Sequence, residues 1–134
     1  MNRIIIAGSR DFTDYQLLAT KMAALTKNLP HEETQIIGGR ARGADELGER
    51  WANEVGLEFI AFPAQWQRSD GSTDKSAGYR RNEAMAQFAA DCDGVKALVA
   101  FWDGESKGTE HMLDLAKDYG LQVRVIRFEK GATR

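Results

Sequence analysis

Cysteine occurs once, at Cys92, so the chain can form no internal disulfide and no cysteine-rich zinc site. Histidine occurs only at His31 and His111, and with so few ligands neither a metal nor a resident cofactor is expected. No apolar run approaches the ~20 residues that cross a bilayer. The first apolar segment begins almost at residue 1, with no room for a signal peptide, so a cytoplasmic protein without a membrane partner is expected. Neither sign of charge prevails. Eighteen lysines and arginines against twenty carboxylates leave a net charge of −2, which argues against indiscriminate binding to nucleic acid, where a basic surface is the rule. Internal repeats and low-complexity segments are absent.

What is present is the composition of an ordinary globular protein, 43% hydrophobic and 28% charged over 134 residues. The length suits a single domain, residues 1–134, with a core of its own. The charges are unevenly distributed. Six of the eleven arginines (Arg10, Arg40, Arg42, Arg68, Arg80 and Arg81) fall in segments that read as turns or helix starts, while most carboxylates fall within helices. A locally basic edge on an acidic body suits a small anionic ligand better than a long polyanion.

Near-continuous apolar runs at 4–7, 35–37, 59–62, 97–101 and 123–128 read as parallel strands covered on both faces. Helix-period segments alternate with them. The first carries Tyr15, Leu18, Met22, Leu25 and Leu29 and opens with Thr13 and Gln16 at capping-box spacing. The second runs from Ala44 through Leu47, Trp51 and Ala52 to Val55, closed by Gly56. The third carries Arg81, Met85, Phe88, Ala89 and Cys92; the fourth carries Met112, Leu113, Ala116 and Tyr119, closed by Gly120. Strict alternation predicts an α/β fold with three layers, a doubly wound sheet of five parallel strands in the order 3-2-1-4-5. Ligands bind such sheets at the carboxyl ends of the strands where the order reverses, here between the first and fourth.

Three glycine-rich turns fall at those strand ends. In "GSR", Gly8 allows a sharp turn and close ligand approach, Ser9 offers a hydroxyl and Arg10 a charged fork; the turn alone would also explain Gly8. In "GGRARGAD", Gly38, Gly39 and Gly43 free backbone amides, Arg42 is a candidate phosphate or loop-organising cation, and Asp45 either caps the helix or accepts from a ribose hydroxyl. In "DGESKGT", Gly104 and Gly108 free the backbone while Ser106 and Thr109 place hydroxyls beside unpaired helical amides. Lys107 reads as solvated, and the spacing is not that of a Walker A loop.

Arg81 lies four positions before Met85 and seven before Phe88, which puts it at a helix start on the face that packs on the sheet. A cation there is costly unless it meets an anion, either a ligand or an internal partner such as Asp45 or Asp103. Arg80 and Asn82 point away from that face. Trp66 and Trp102, just beyond strand ends, could stack on a base or pack in the core. His111 reads as an exposed helix residue and Cys92 as core. Residues 64–78 have no apolar period and read as a functional flap or a disordered loop; 129–134 read as a frayed tail.

Taken jointly and in order, "IIIAGSRDF", "GGRARGAD", "FPAQW", "YRRNEAMA" and "AFWDGESKGT" resemble the SLOG superfamily, most closely its short YspA-like, cpYpsA-related branch. The resemblance covers nearly the whole chain. It implies a compact Rossmann-like fold binding nucleotides or nucleotide-derived ligands. Set against the more distant lonely-guy phosphoribohydrolases, it puts Arg81 on the catalytic arginine and Asn82 on a lysine. It keeps Gly108 and Thr109 for the phosphate, and puts Met112 where the catalytic glutamate would stand. Glu110 is two residues away, about 200° around the helix. The DNA-processing protein of natural transformation resembles "GSR", "ARGAD" and the arginine-asparagine pair, on a longer and more basic chain.

The expectation is therefore a protein for a nucleotide-derived small molecule of the AMP or ADP-ribose kind. Its phosphate would sit at 104–109, its ribose near 8–10 and Asp45, its base toward Trp66 or Trp102, with Asn82 among the binding residues. A homo-oligomer is expected. An N-glycosidic hydrolase or transferase is the second reading, with Arg81, Glu105 and Glu110 as catalytic candidates beside Asp103. A binder of single-stranded DNA is the third.

Overall fold

In the computed structural model, residues 1–129 are described, and the expected frayed tail lies outside them from residue 130 on. The order of elements is β1 (Asn2–Gly8), α1 (Tyr15–Thr26), a single 3-10 turn (His31–Glu33), β2 (Thr34–Gly38), α2 (Ala44–Val55), β3 (Glu58–Ala61), α3 (Ala77–Ala90), β4 (Lys96–Trp102), α4 (Lys107–Asp118) and β5 (Gln122–Arg127). All neighbouring strands pair in parallel, in the order β3-β2-β1-β4-β5. This is the expected Rossmann-like α/β sheet.

The central strands are apolar on both faces because both faces are covered. Side chains alternate across a strand, so Ile4 and Ile6 of β1 turn to one side and Ile5 and Ala7 to the other. The first pair packs with Leu18 and Met22 of α1 and Trp51 and Ala52 of α2. The second packs with Met85, Ala86 and Ala89 of α3 and Met112, Leu113 and Ala116 of α4. The two cores are thus separated by the sheet, and β1 and β4 contribute to both. Burying a side chain of this size contributes roughly 1.5–3 kcal/mol each, which makes the central pair of strands the rigid frame for whatever sits at their ends.

Several local expectations are corrected. The first helix is capped by Asp14, not by a Thr13–Gln16 box: the Asp14 carboxylate accepts from the Leu17 amide at 3.0 Å. An aspartate one residue inside the serine/threonine candidate is the stronger acceptor for a helix amide. The third helix begins at Ala77, so Arg81 stands one turn in and not at its start. Cys92 lies past the end of α3, half-buried, with its thiol 3.4 Å from the Ala89 carbonyl oxygen.

Residues 64–78 are ordered by polar contacts rather than by apolar ones. Gln67 and Thr73 form an antiparallel bridge around a turn in which the Arg68 and Ser72 backbones pair. Asp74, 3% exposed, organises the segment. Its carboxylate accepts from the Ser76 amide and hydroxyl and forms ion pairs with Arg68 and Arg80. Arg80 is thereby committed to the loop, as its expected divergence from Arg81 requires.

Candidate functional site

Because every strand runs the same way, the turns after β1, β2 and β4 all lie at one edge of the sheet. They enclose a cleft of about 370 Å³ at the reversal between β1 and β4, within the size range of small-molecule sites. Gly8, Ser9 and Arg10 line it from β1; Asp45 from the start of α2; Arg81, Asn82 and Met85 from α3; Glu105, Ser106, Gly108, Thr109 and Met112 from the turn after β4 and the start of α4.

Two residues hold the rim together. Ser9 is buried; its amide donates to the Phe101 carbonyl at 2.9 Å, its carbonyl accepts from Phe12 and Ala44, and its hydroxyl accepts from the Asp103 amide at 3.1 Å. Asp103 in turn accepts from the amides of Glu105 and Ser106, both at 2.9 Å, which curls the turn into the first turn of α4. The Ser106 and Thr109 hydroxyls meet at 3.2 Å at that helix start. Thr109 is buried against the cleft wall.

Gly43 sits behind the site with φ 78°, and a β-carbon there would run into the Ser9 and Arg10 carbonyls. Only glycine allows the second turn to close on the first. Gly38 packs against the Phe59 ring and Gly104 against the Arg127 guanidinium. Neither lines the cleft; both support its walls.

The charged pair at the centre is Arg81 and Asp45. The Arg81 guanidinium is half-buried; Nη1 donates to the Gly39 carbonyl and Nε to Asn82 Oδ1 at 2.9 Å. Burial pulls it below the usual guanidinium range, Asp45 pushes it up, and the neighbouring Arg10 pulls it down again. Asp45, 5% exposed, accepts from the Ala41 amide at 3.3 Å. Burial raises its carboxyl to about 6, against the opposing pull of Arg81, the Ala41 and Gly39 amides and Arg10. Desolvation outweighs the attraction because the carboxylate is almost fully buried and Arg81 spends its hydrogen bonds on Gly39 and Asn82 rather than on Asp45.

Asn82 is corrected from its expected outward direction. It is buried in the cleft wall, takes the Arg81 Nε proton in a hydrogen bond, and donates from Nδ2 to the Gly108 carbonyl at 3.3 Å. The same Nδ2 lies 3.3 Å from His111 Nδ1, and His111 packs edge-on against Tyr79, so this histidine is half-buried rather than exposed. Asn82 therefore ties α3 to the start of α4.

Glu110 and Trp102 line neither this cleft nor the one beside it. Glu110 is exposed on α4, 3.9 Å from Lys107. Trp102 turns its indole Nε1–H onto the Ser106 carbonyl at 3.1 Å and packs beside Arg127, on the second core. Trp66 lines a second cleft of about 330 Å³ together with Gly39, Arg40 and Arg42, and this cleft shares Arg10, Ala41 and Arg81 with the first. Among the described residues no three His, Cys, Asp or Glu side chains gather as a metal site requires, and no helix is long and apolar enough to cross a membrane.

Residues 2–69 match the YspA, cpYpsA-related SLOG family. The chain is also 32% identical over 124 residues to the "Gene 61 protein" of Mycobacterium phage D29, covering 92% of this chain and 94% of that protein. The matched half of the chain carries the first two glycine-rich turns, with Asp45 and Gly39, and the strands that hold them. By that match the chain belongs to the YspA, cpYpsA-related SLOG family, a membership consistent with a nucleotide-related role.

Proposed function

We propose that the cleft binds a nucleotide or a nucleotide-derived ligand of the AMP or ADP-ribose kind, as a sensor, a sequestering protein or a weak enzyme. The observation that carries this reading is the convergence of Arg81, Thr109 and the turns after β1, β2 and β4 on one cleft at the reversal of strand order. The phosphate goes to 104–109, where the first amides of α4 lack intrahelical acceptors and the helix presents its positive end. The ribose lies near 8–10, with Asp45 as acceptor for a hydroxyl, and the base extends toward Trp66. Trp102 takes no part. Thermal-shift measurements with AMP, ADP-ribose, cyclic ADP-ribose and a short oligonucleotide are the test, since a ligand that binds only the native state raises the midpoint. A rise with a nucleotide is expected; no rise with any of them overturns the reading.

A second reading, an N-glycosidic hydrolase or transferase on the same ligands, is favoured by one observation. Asp45, with its carboxyl raised to about 6 inside the cleft, could donate a proton to a departing base near neutral pH. Arg81 would then steady the phosphate or the leaving group. Glu105, exposed at the cleft mouth, would face the oxocarbenium-like centre.

A further inference from the structure

The two clefts differ in charge. The first is lined by both arginines and carboxylates, Asp45 and Glu105 among them. The second is lined by Arg10, Arg40, Arg42 and Arg81 with the Trp66 ring, and by no carboxylate. Arg40 is neutralised by Glu49 at 3.1 Å, and Arg81 is engaged with Gly39 and Asn82. Arg42 is exposed and forms no ion pair among the described residues. Trp66 remains 45% exposed at this wall. A neutral base stacked on Trp66 would leave the positive field of this cleft unanswered.

We propose that the second cleft is a subsite for a second phosphoryl group, carried on the 2′ or 3′ oxygen of the ribose. The ligand class is then a nucleoside phosphorylated on both sides of its sugar. The inference rests on the nucleotide reading above, and it follows from the order of the subsites. With the 5′ phosphate at the start of α4 and the ribose beside Arg10 and Asp45, the sugar spans the residues common to both clefts, Arg10, Ala41 and Arg81. A group on its 2′ or 3′ oxygen then leaves toward Arg42, on the same side as a base stacked on Trp66. A β-phosphate would instead continue along the α4 side, away from Arg42. Arginine is suited to this position because its planar fork meets two phosphate oxygens at once.

The test is calorimetric titration of the full chain with AMP, ADP, adenosine 2′,5′-bisphosphate and adenosine 3′,5′-bisphosphate, on the wild type and on Arg42→Ala. One bisphosphate is expected to bind about tenfold tighter than AMP, the scale of one charge-assisted contact. Arg42→Ala should cancel that advantage while changing AMP affinity less than about twofold, with an unaltered melting temperature. Comparison of the two bisphosphates assigns the oxygen. Bisphosphates that bind no tighter than AMP overturn the subsite and leave nucleotide binding standing. So does an advantage that survives Arg42→Ala, or an ADP advantage equally lost with it. A wild type that binds none of the four overturns both readings. A short oligonucleotide that binds more tightly than any of them overturns the small-molecule class.

Discussion

Arg81 and Asp45 both close on Gly39 from the side its missing β-carbon would occupy, and each is hydrogen-bonded to its backbone. The Gly39 carbonyl accepts from Arg81 Nη1, its amide faces the Asp45 carboxylate, and a β-carbon at position 39 would collide with the guanidinium and stand 2.9 Å from Asp45 Oδ2. The glycine is required here by close approach rather than by a turn. Gly39→Ala must therefore displace Arg81, which also leaves the buried Gly39 carbonyl without its donor, at a cost of about 1–3 kcal/mol of stability. The expected outcome is a loss of nucleotide affinity of about tenfold, the scale of one charge-assisted hydrogen bond. The melting temperature should fall by several degrees, as expected from the lost donor. Titration and melting of the same variant check it. A large loss of stability with unchanged affinity would show that position 39 is architectural only.

Removal of the guanidinium itself has two consequences. Arg81→Ala takes a charge-assisted donor from the cleft, worth roughly 1.5–3 kcal/mol, and should weaken ligand binding about ten- to a hundredfold. It also leaves the buried Gly39 carbonyl without its donor, which costs about 1–3 kcal/mol of stability. Both effects are expected together. Arg81→Lys should restore much of the stability but little of the affinity, because an ammonium cannot present the planar fork that meets two acceptors at once. If affinity were unchanged while the midpoint fell, the ligand role of Arg81 would be lost.

Asp45 makes stability depend on pH. Its folded-state carboxyl is raised to about 6 from an ordinary 3.8, so between those values the native state binds more protons than the unfolded state. Stability is then fully present below the unfolded value and falls as pH rises through about 6, by roughly 2–3 kcal/mol in all. The melting temperature of the wild type should decline between about pH 4 and 6.5 in the part due to this residue, and level off above that. Asp45→Asn, which cannot titrate, should flatten that decline. A slope identical in both proteins would assign the dependence elsewhere.

The sheet and its order were legible because β1 and β4, buried on both faces, write their burial as unbroken apolar runs, Ile4 through Ala7 and Leu98 through Phe101. Three turns at one edge then followed from parallel alternation alone. The polar contacts of the cleft were less legible, since they depend on directions that periodicity does not encode. Asn82 follows Arg81 in sequence and falls about 100° away on the helix, yet its short side chain turns back to accept from Arg81 Nε. Trp102 sits at a strand end in the expected place, but the Ser106 carbonyl, which also accepts from the Glu110 amide, captures its indole N–H. Asp74 was missed entirely. Its only trace is the spacing "DKS", where an aspartate two residues before a serine closes a turn on the serine amide.

Catalytic turnover distinguishes the two proposed readings. Met112 is buried in the cleft wall where the phosphoribohydrolase resemblance would put a carboxylate, and Glu110 is turned out to Lys107. Purified protein should accordingly release little or no free base from AMP. A missing general acid or base typically costs on the order of 10²–10⁴-fold, which is visible by chromatography at ordinary enzyme concentration. Robust release abolished by Glu105→Ala or by Asp45→Asn would instead establish the hydrolase reading, with those residues as the carboxylates. Glu110→Ala should leave any such release unchanged.

Thr109 separates the contribution of the α4 hydroxyls from that of its backbone. Its side chain is buried at the cleft wall, with Oγ1 3.2 Å from Ser106 Oγ. The first amides of the helix and its positive end remain whatever side chain stands there, so most of the phosphate affinity should survive substitution. Valine keeps the volume and β-branching of threonine and removes only the hydroxyl. Thr109→Val should therefore cost about 1 kcal/mol of binding, roughly fivefold in affinity. Ser106→Ala breaks the same hydroxyl pair from its other side. If one hydroxyl orients the other toward the phosphate, the double variant should lose no more than the worse single variant, because the pair acts as a unit. Strictly additive losses would show two independent contacts. No loss in either single variant, measured by titration with AMP, would remove the hydroxyls from the site and leave the amides alone to hold the anion.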